Sequence, residues 1–318
     1  MANEMVKLPP GTVRFQLLGP VEARVSSTRV ELGTPRERRL LVALLSSPGR
    51  RVPRDNLAHW VWDDPPDNAA RKLDEPVSDL RRHHLSELGL ADRLISKDGW
   101  CQFDIPADCV DVHLLRKLVD RATQFEDSRR RELLIEAMQL RHGEPLEDLD
   151  GSKISAYRDK LAADYRHAEI LFNQFDVRNG RERDRLTDLE RLYHARPQET
   201  RVAGLYICAL HYGGLPVEAL DVFQHHRKFL DKYGMAIPKQ LTNLHERLLS
   251  GEDNISPQSD VFLGGQHISE QAQHEASVDE EDSNAKTPRQ NATNIVNNTL
   301  TGDTRADYMV FGFDNRSS

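Results

Sequence analysis

The side chains best suited to chemistry lie in one short stretch, where Arg71 and Lys72 precede Ser78, Arg81 and Arg82. A guanidinium presents a rigid fork of donors that matches two phosphate oxygens, or O6 and N7 of a guanine in a major groove. A lysine adds a point charge for one phosphate. Arg93 and Lys97 follow, and Arg36 precedes them. Such a set holds a polyanion and breaks no bonds. The same stretch carries Asp74, Glu75, Pro76 and Asp79. Carboxylates repel phosphates, although one can accept from a cytosine amino group. A proline inside a helix removes a hydrogen bond and costs about 3 kcal/mol, but a first turn tolerates it. Two local forms follow: a helix kinked at Pro76, or one whose regular part begins near Asp74. Two functions follow as well. The stretch either reads DNA or belongs to a module that kept its core, lost specific reading and binds protein.

Bond-making machinery is missing from the pattern. There is no glycine loop closing on Lys-Ser/Thr, no His-Glu-x-x-His and no Gly-x-Ser-x-Gly. His83-His84 and His225-His226 are adjacent pairs. Neighbours on a helix point about 100° apart, so neither pair clamps a metal. They read as ordinary surface or half-buried histidines. Cys101, Cys109 and Cys208 are odd in number and far apart, which reads as reduced, packed thiols rather than a disulfide framework. No enzyme, no cofactor and no metal is expected.

The elements that must position the cations follow from punctuation and periodicity. Val13 to Leu18, Val21 to Val25 and Arg29 to Leu32 are short alternating runs separated by Gly19-Pro20 and Ser26-Ser27, an antiparallel meander. Thr34-Pro35-Arg36-Glu37 is a capping box with proline at the first helical position, and Leu40, Leu41, Leu44 and Leu45 continue it as one apolar stripe. Pro53 opens a second helix through Leu57, Trp60 and Val61. A third lies within Asn68 to Leu88, with Leu73, Val77 and Leu80 on one face. That geometry turns Arg71, Glu75, Ser78, Asp79 and Arg82 outward and leaves Arg81 at the edge. Leu94-Ile95-Ser96 and Cys101-Gln102-Phe103 then flank Lys97-Asp98-Gly99-Trp100 as a hairpin. Small sheet, three helices and hairpin is the order of a winged helix-turn-helix.

From Asp111 to Leu249 the pattern is helical, with early helices near 111–124, 129–141 and 152–165. A 34-residue repeat follows: Leu171 and Phe172 recur as Leu205 and Tyr206, Gly180 as Gly214, Leu186 as Leu220, and Leu189 as Phe223. That period, with glycine at the turn, is the tetratricopeptide pattern of stacked helix pairs. Tyr206 reads as core rather than groove lining, because its repeat partner is Phe172. The fold class is therefore mainly α: an α+β winged helix-turn-helix domain over 12–106, then an all-α tetratricopeptide-like repeat domain over 109–250. Residues 251–318 form a polar, acidic, mostly disordered tail; Asn294 to Phe313 regains enough apolar residues for short strands or a partner contact.

The net charge of −8 belongs to that tail, which holds 4 basic and 12 acidic residues against an even balance before it. A neutral body exerts no long-range pull on nucleic acid, so any such contact is local. No apolar run reaches the roughly 18–20 residues of a membrane span, and Met1 to Pro10 has no signal-peptide core. The chain reads as soluble, cytoplasmic and without a membrane partner.

Ordered blocks across both halves resemble the SARP group of antibiotic-pathway regulators. They are Val13-Arg14-Phe15 with Leu18-Gly19-Pro20-Val21-Glu22; Leu32 through Leu41; Leu57 with Trp62-Asp63-Asp64-Pro65-Pro66; Val77 through Arg82; and Asp98-Gly99-Trp100. In the second half Gly214, Glu218-Ala219-Leu220, Tyr233-Gly234, Ile237-Pro238 and Leu241 are similar to the same group. The resemblance covers about residues 12–250. It implies an OmpR-type winged helix joined to a bacterial transcriptional activation domain. It further implies paired protomers (a homo-oligomer) on double-stranded promoter DNA with direct repeats, and recruitment of RNA polymerase through its sigma factor. The chain leaves no room for the ATPase domain of larger relatives, and its tail lies outside the resemblance.

Overall fold

The structure, a computed structural model, describes residues 13–25, 28–97 and 99–250, all within one unit of the chain. The Ser26-Ser27 turn, Asp98, Met1 to Pro10 and the whole reading of residues 251–318 lie outside the described residues.

Three short strands, β1 (Val13–Gln16), β2 (Glu22–Val25) and β3 (Thr28–Val30), pair antiparallel in sequence order, with Val13 opposite Val25 and Ala23 opposite Val30. Helix α1 (Pro35–Leu45) begins on the expected capping box: the Thr34 amide donates to Glu37 Oε2 at 2.7 Å, and the Glu37 amide donates to Thr34 Oγ1. Strand β4 (Arg51–Pro53) leads into α2 (Arg54–Val61). The expected third helix is divided into α3 (Ala69–Lys72), α4 (Asp74–Asp79) and a wide π-helical turn over Leu80–Leu85. Strands β5 (Leu94–Lys97) and β6 (Trp100–Phe103) make the hairpin, and β4 adds to its far edge, giving the order β4-β6-β5. The sequence pattern had not shown β4, which is three residues long and ends in proline.

Helices α5 (Asp111–Ala122), α6 (Ser128–Met138), α7 (Ser152–Arg178), α8 (Glu182–Ala195), α9 (Thr200–Tyr212), α10 (Pro216–Lys232) and α11 (Lys239–Ser250) follow. The helix expected over 152–165 runs on to Arg178, because the first helix of the first repeat is its C-terminal half. Gly180 and Gly214 turn the two repeats at φ +75° and +85°, a region that favours glycine. Matched repeat positions share their burial: Leu171 with Leu205, Phe172 with Tyr206, Leu189 with Phe223. Tyr206 is core, as read.

The apolar interior does not divide where the sheet-and-hairpin region ends. One cluster runs from Val13 to Phe175 and joins both sheets, α1, α2 and α4 to α5, α6 and much of α7. Phe15 of β1 meets Phe103 of β6 edge-on at 5.7 Å inside it. A second cluster holds the repeats, from Ile170 to Leu244. Ile170 and Val177 of α7 face the second cluster while Leu171 and Phe175 face the first, so one long helix serves both.

Candidate nucleic-acid interface

The helical stretch that carries the cations, α3 through α4 to the π-helical turn, accommodates its proline. Leu73 sits between α3 and α4 in the helical region, and α4 starts at Asp74, so Pro76 falls in the first turn, where no intrahelical amide bond is lost. Of the two forms open in the sequence, the second is observed. Leu73, Pro76, Val77 and Leu80 are buried, and Arg71, Lys72, Glu75 and Arg82 are exposed, with Ser78, Asp79 and Arg81 half-buried.

Asp74 is a clamp. Its Oδ1 accepts from Arg54 Nη2 at 2.5 Å, while Arg54 Nε donates to the Ala70 carbonyl at 2.8 Å. Arg54 also reaches Ser96 Oγ on β5 at 3.4 Å. One guanidinium thus ties the start of α2 to α3, α4 and the hairpin. On the same side Arg81 donates through Nη2 to the Leu94 carbonyl at 2.8 Å, fastening the π-helical turn to β5. At the other end of the helix, His84 Nε2 lies 3.5 Å from Glu37 Oε1 of the α1 cap. Gly33 makes room for this junction: at φ +81°, a β carbon there would sit 2.4 Å from His84 Nε2 and 2.6 Å from Glu37 Oε2.

The remaining cations are differently placed. Arg36, Arg71 and Lys72 border a cleft of 1200 Å³ between the start of α1 and the α3–α4 junction, with Asp64, Glu75 and Asp79 on its walls. Arg82 is exposed beyond the cleft. Lys97 is exposed at the hairpin end, opposite Trp100 in register, and Arg51 stacks over the Trp100 ring at 4.4 Å. Arg93 lies at the base of the hairpin, 3.5 Å from Asp104 Oδ2. Among the described residues, Arg36, Arg51, Arg71, Lys72, Arg82 and Lys97 have no carboxylate within ion-pairing distance. Sequence reading missed Arg51 and Arg54. Their signal was their position at the start of α2, Arg51 just before it on β4 and Arg54 its first residue, in a fold class whose first motif helix crosses the nucleic-acid backbone.

The interface is held on the repeat region by three carboxylates. Asp111 at the start of α5 accepts from the amides of Leu17 and Leu18, both at 2.8 Å, and of Val112 at 2.7 Å. Burial pushes its carboxyl up to about 7, against those amides, which favour the anion. Asp148 accepts from the Val21 amide at 2.8 Å and from Arg38 at 2.5 Å. Asp63, after α2, accepts from the Ser152 amide at 2.7 Å, and that bond holds its carboxyl below the usual value. Trp60 and Tyr157 meet edge-on beside it at 5.4 Å. His113 reaches the Leu45 carbonyl at 2.9 Å, and burial depresses its basicity.

His226, expected at or near the surface, is fully buried, with Nε2 3.2 Å from Thr200 Oγ1. It sits on the α10 face that closes on the α8–α9 aromatics, 6.1 Å from the Tyr193 ring. Cys101, Cys109 and Cys208 are free and buried. Among the described residues, no His, Cys, Asp or Glu cluster suits a metal, and no helix is long and apolar enough to cross a membrane.

Two family patterns match the chain: "Transcriptional regulatory protein, C terminal" over residues 27–96, and "Bacterial transcriptional activator domain" over residues 110–249. The chain is a SARP-type transcriptional regulator. The regulator is similar to the regulatory protein AfsR of Streptomyces griseus, 27% identical over 78% of this chain and 26% of that one. It thus spans about a quarter of AfsR's length. The regulatory protein DnrI of Streptomyces peucetius is 23% identical over 76% of this chain and 94% of its own. Mycobacterium tuberculosis EmbR, solved with a low-affinity phosphopeptide, shares the fold with a TM-score of 0.72, at 23% identity, covering 78% of this regulator and 68% of that chain. The matched relatives named here are regulatory proteins.

Proposed function

We propose that this regulator binds duplex DNA through the face formed by Arg71, Ser78, Arg82 and Lys97, with Lys72, Arg36 and Arg51 on the flanking backbone. The observation that carries this reading is the set of exposed cations left without carboxylate partners, among the described residues, on and around the helical stretch from α3 through α4 to the π-helical turn. Arg71 and Arg82 stand where a recognition helix meets base edges and phosphates, and Lys97 and Arg51 stand where a wing meets a backbone. Arg81 and Arg54 act by holding the helix against the hairpin. Arg93, shared with Asp104 at the base of the hairpin, adds a peripheral backbone contact. Glu75 and Asp79 narrow the accepted sequences, favouring a cytosine amino group nearby.

The winged helix (12–106) supplies DNA contact, and the repeat domain (109–250) pairs protomers on direct repeats and meets RNA polymerase and its sigma factor in the cytoplasm. The regulated genes are a secondary-metabolite pathway, switched on by binding. Support for these finer points is the likeness to AfsR and DnrI; EmbR carries the same fold.

Fluorescence anisotropy with the chain's own upstream region and a scrambled duplex, at several salt concentrations, tests the reading. Specific binding at least about 10³ tighter than to the scrambled duplex is expected. Equal affinity at every salt concentration would retire it in favour of a protein-binding module.

A further inference from the structure

A second cavity, of about 550 Å³, lies where four parts of the fold meet. Val13 and Phe15 reach it from one face of β1, and Leu88 and Leu90 from the turn that follows the π-helical stretch. Ile105 reaches it from just beyond β6, and Cys109 from a short turn that leads into α5. Val13, Phe15, Leu88, Ile105 and Cys109 are all buried, and still they wall a cavity. Protein interiors pack as densely as organic crystals and hold few voids larger than a water molecule. Several hundred Å³ behind an apolar lining is the size and character of a small-molecule site, about 300–1000 Å³. Among the described lining residues only Arg93 and Asp104 carry charge. They face each other at the base of the hairpin, both more than half exposed, with Arg93 Nη1 3.5 Å from Asp104 Oδ2. The Asp104 amide donates to the Arg93 carbonyl at 2.9 Å, so the backbone fixes this rim while the side chains are loosely paired. One long contact leaves most of the guanidinium fork for a second acceptor. Burial and the neighbouring Asp108 push the Cys109 thiol up, so it presents a neutral, polarisable wall.

We propose that this cavity binds a small amphipathic acid, its apolar body against Phe15, Leu88 and Ile105 and its carboxylate on Arg93 at the rim. The lining sets the class. A sugar or another polyhydroxylated molecule would strand its hydroxyls against leucine and isoleucine, which offer them no hydrogen bond. A wholly apolar molecule would leave the Arg93 fork unused. A carboxylate can join Arg93 beside Asp104, because the planar guanidinium presents five donors. The seated molecule touches the turn after the reading stretch, the base of the hairpin, β1 and the approach to α5 together, so it contacts both halves of the fold. The site stands whether or not the chain binds DNA.

Two measurements on the full-length chain test this. In the first, the fluorophore 1-anilinonaphthalene-8-sulfonate, an apolar ring system with one anion, is titrated into the chain, and decanoate or decylamine is added in competition. One saturable site is expected, cleared by decanoate and not by decylamine. Arg93→Gln weakens both anions on the order of 10-fold. Ile105→Trp fills the cavity and abolishes dye binding. The second measurement needs no variant. A small methanethiosulfonate labels Cys109 through the cavity, and mass spectrometry follows the rate. Decanoate at about 10 times its dissociation constant slows that labelling about 10-fold, in step with the free fraction. Cys208, which does not line the cavity, keeps its rate. Absence of a saturable dye site, dye binding indifferent to both variants, clearance by decylamine in preference to decanoate, or Cys109 labelling unmoved by decanoate each overturns the assignment.

Discussion

Asp111 and Arg82 stand for two regions that treat charge in opposite ways. At the seam between the winged helix and the repeat helices, three carboxylates are spoken for: Asp111 by the Leu17, Leu18 and Val112 amides, Asp148 by Val21 and Arg38, Asp63 by Ser152. On the reading face, Arg71, Lys72, Arg82 and Lys97 are left to solvent. A charge satisfied inside the chain fixes posture. A charge left unsatisfied is held for something outside the described fold. The shared apolar cluster from Val13 to Phe175 makes the same point: the winged helix sits on the repeat region as on a base, not on a hinge.

The largest effect falls on the seam. Asp111→Ala strands the Leu17 and Leu18 amides in a buried strand end and should lower unfolding free energy by about 3–5 kcal/mol. Urea denaturation reads it directly. Asp111→Asn keeps one acceptor oxygen and should lose roughly half as much. A loss below about 1 kcal/mol for alanine would mean that the two halves are held by apolar contact alone.

The seam should also titrate. With the folded Asp111 carboxyl raised to about 7, the folded form holds a proton that the unfolded chain releases near its ordinary value of 3.8. Its contribution therefore falls as pH climbs from about 4 to 7, at most about 1.4 kcal/mol per pH unit. His113 works the other way. Its folded basicity is depressed, so its contribution is full above its ordinary value of 6.5 and is lost as pH falls below it. Removing the carboxyl proton in Asp111→Asn should leave stability rising more steeply with pH between 5 and 7 than in the parent chain. Parallel curves would place the Asp111 titration outside that window.

On the reading face the same logic predicts changes in binding without changes in folding. Arg82→Ala should leave the urea midpoint in place and weaken specific DNA binding by about 1–3 kcal/mol. Loss of stability in step with affinity would move Arg82 to the seam's class.

Much of the fold was legible because its signals are local. The Thr34-Pro35-Arg36-Glu37 cap, the Lys97–Trp100 hairpin and the glycines of the 34-residue repeat each need only neighbours in sequence, and each formed as read. What escaped was set by distant partners. Arg54 and Asp74 are 20 residues apart, and Asp74 looked like an obstacle to phosphate until Arg54 was seen to hold it. Asp111 meets Leu17 across 94 positions, and no spacing rule reaches that far. Strand β4 escaped because an Arg-Val-Pro triplet has no period; only its register with Cys101 reveals it.

Lys72 separates phosphate contact from base contact. As a flanking point charge it should weaken binding evenly across duplex sequences when replaced by alanine, and lower the slope of log affinity against log salt by about 1. Sequence-dependent loss would move Lys72 from the backbone to a base edge.

Arg93 draws the boundary between the two regions. It belongs to the cationic set by sequence, yet its guanidinium lies 3.5 Å from Asp104 at the base of the hairpin, and both side chains are more than half exposed. An exposed pair of that kind contributes little in water, and a cation already facing an acid attracts a phosphate weakly. Arg93→Ala should therefore change both the urea midpoint and the duplex affinity by less than about 0.5 kcal/mol. Removing the acid instead gives the sharper reading. Asp104→Asn frees the guanidinium without moving it, so tighter duplex binding that disappears when Arg93→Ala is added would show that Asp104 was holding Arg93 back from DNA. Unchanged binding in both variants would fix the edge of the reading face between Lys97 and Arg93.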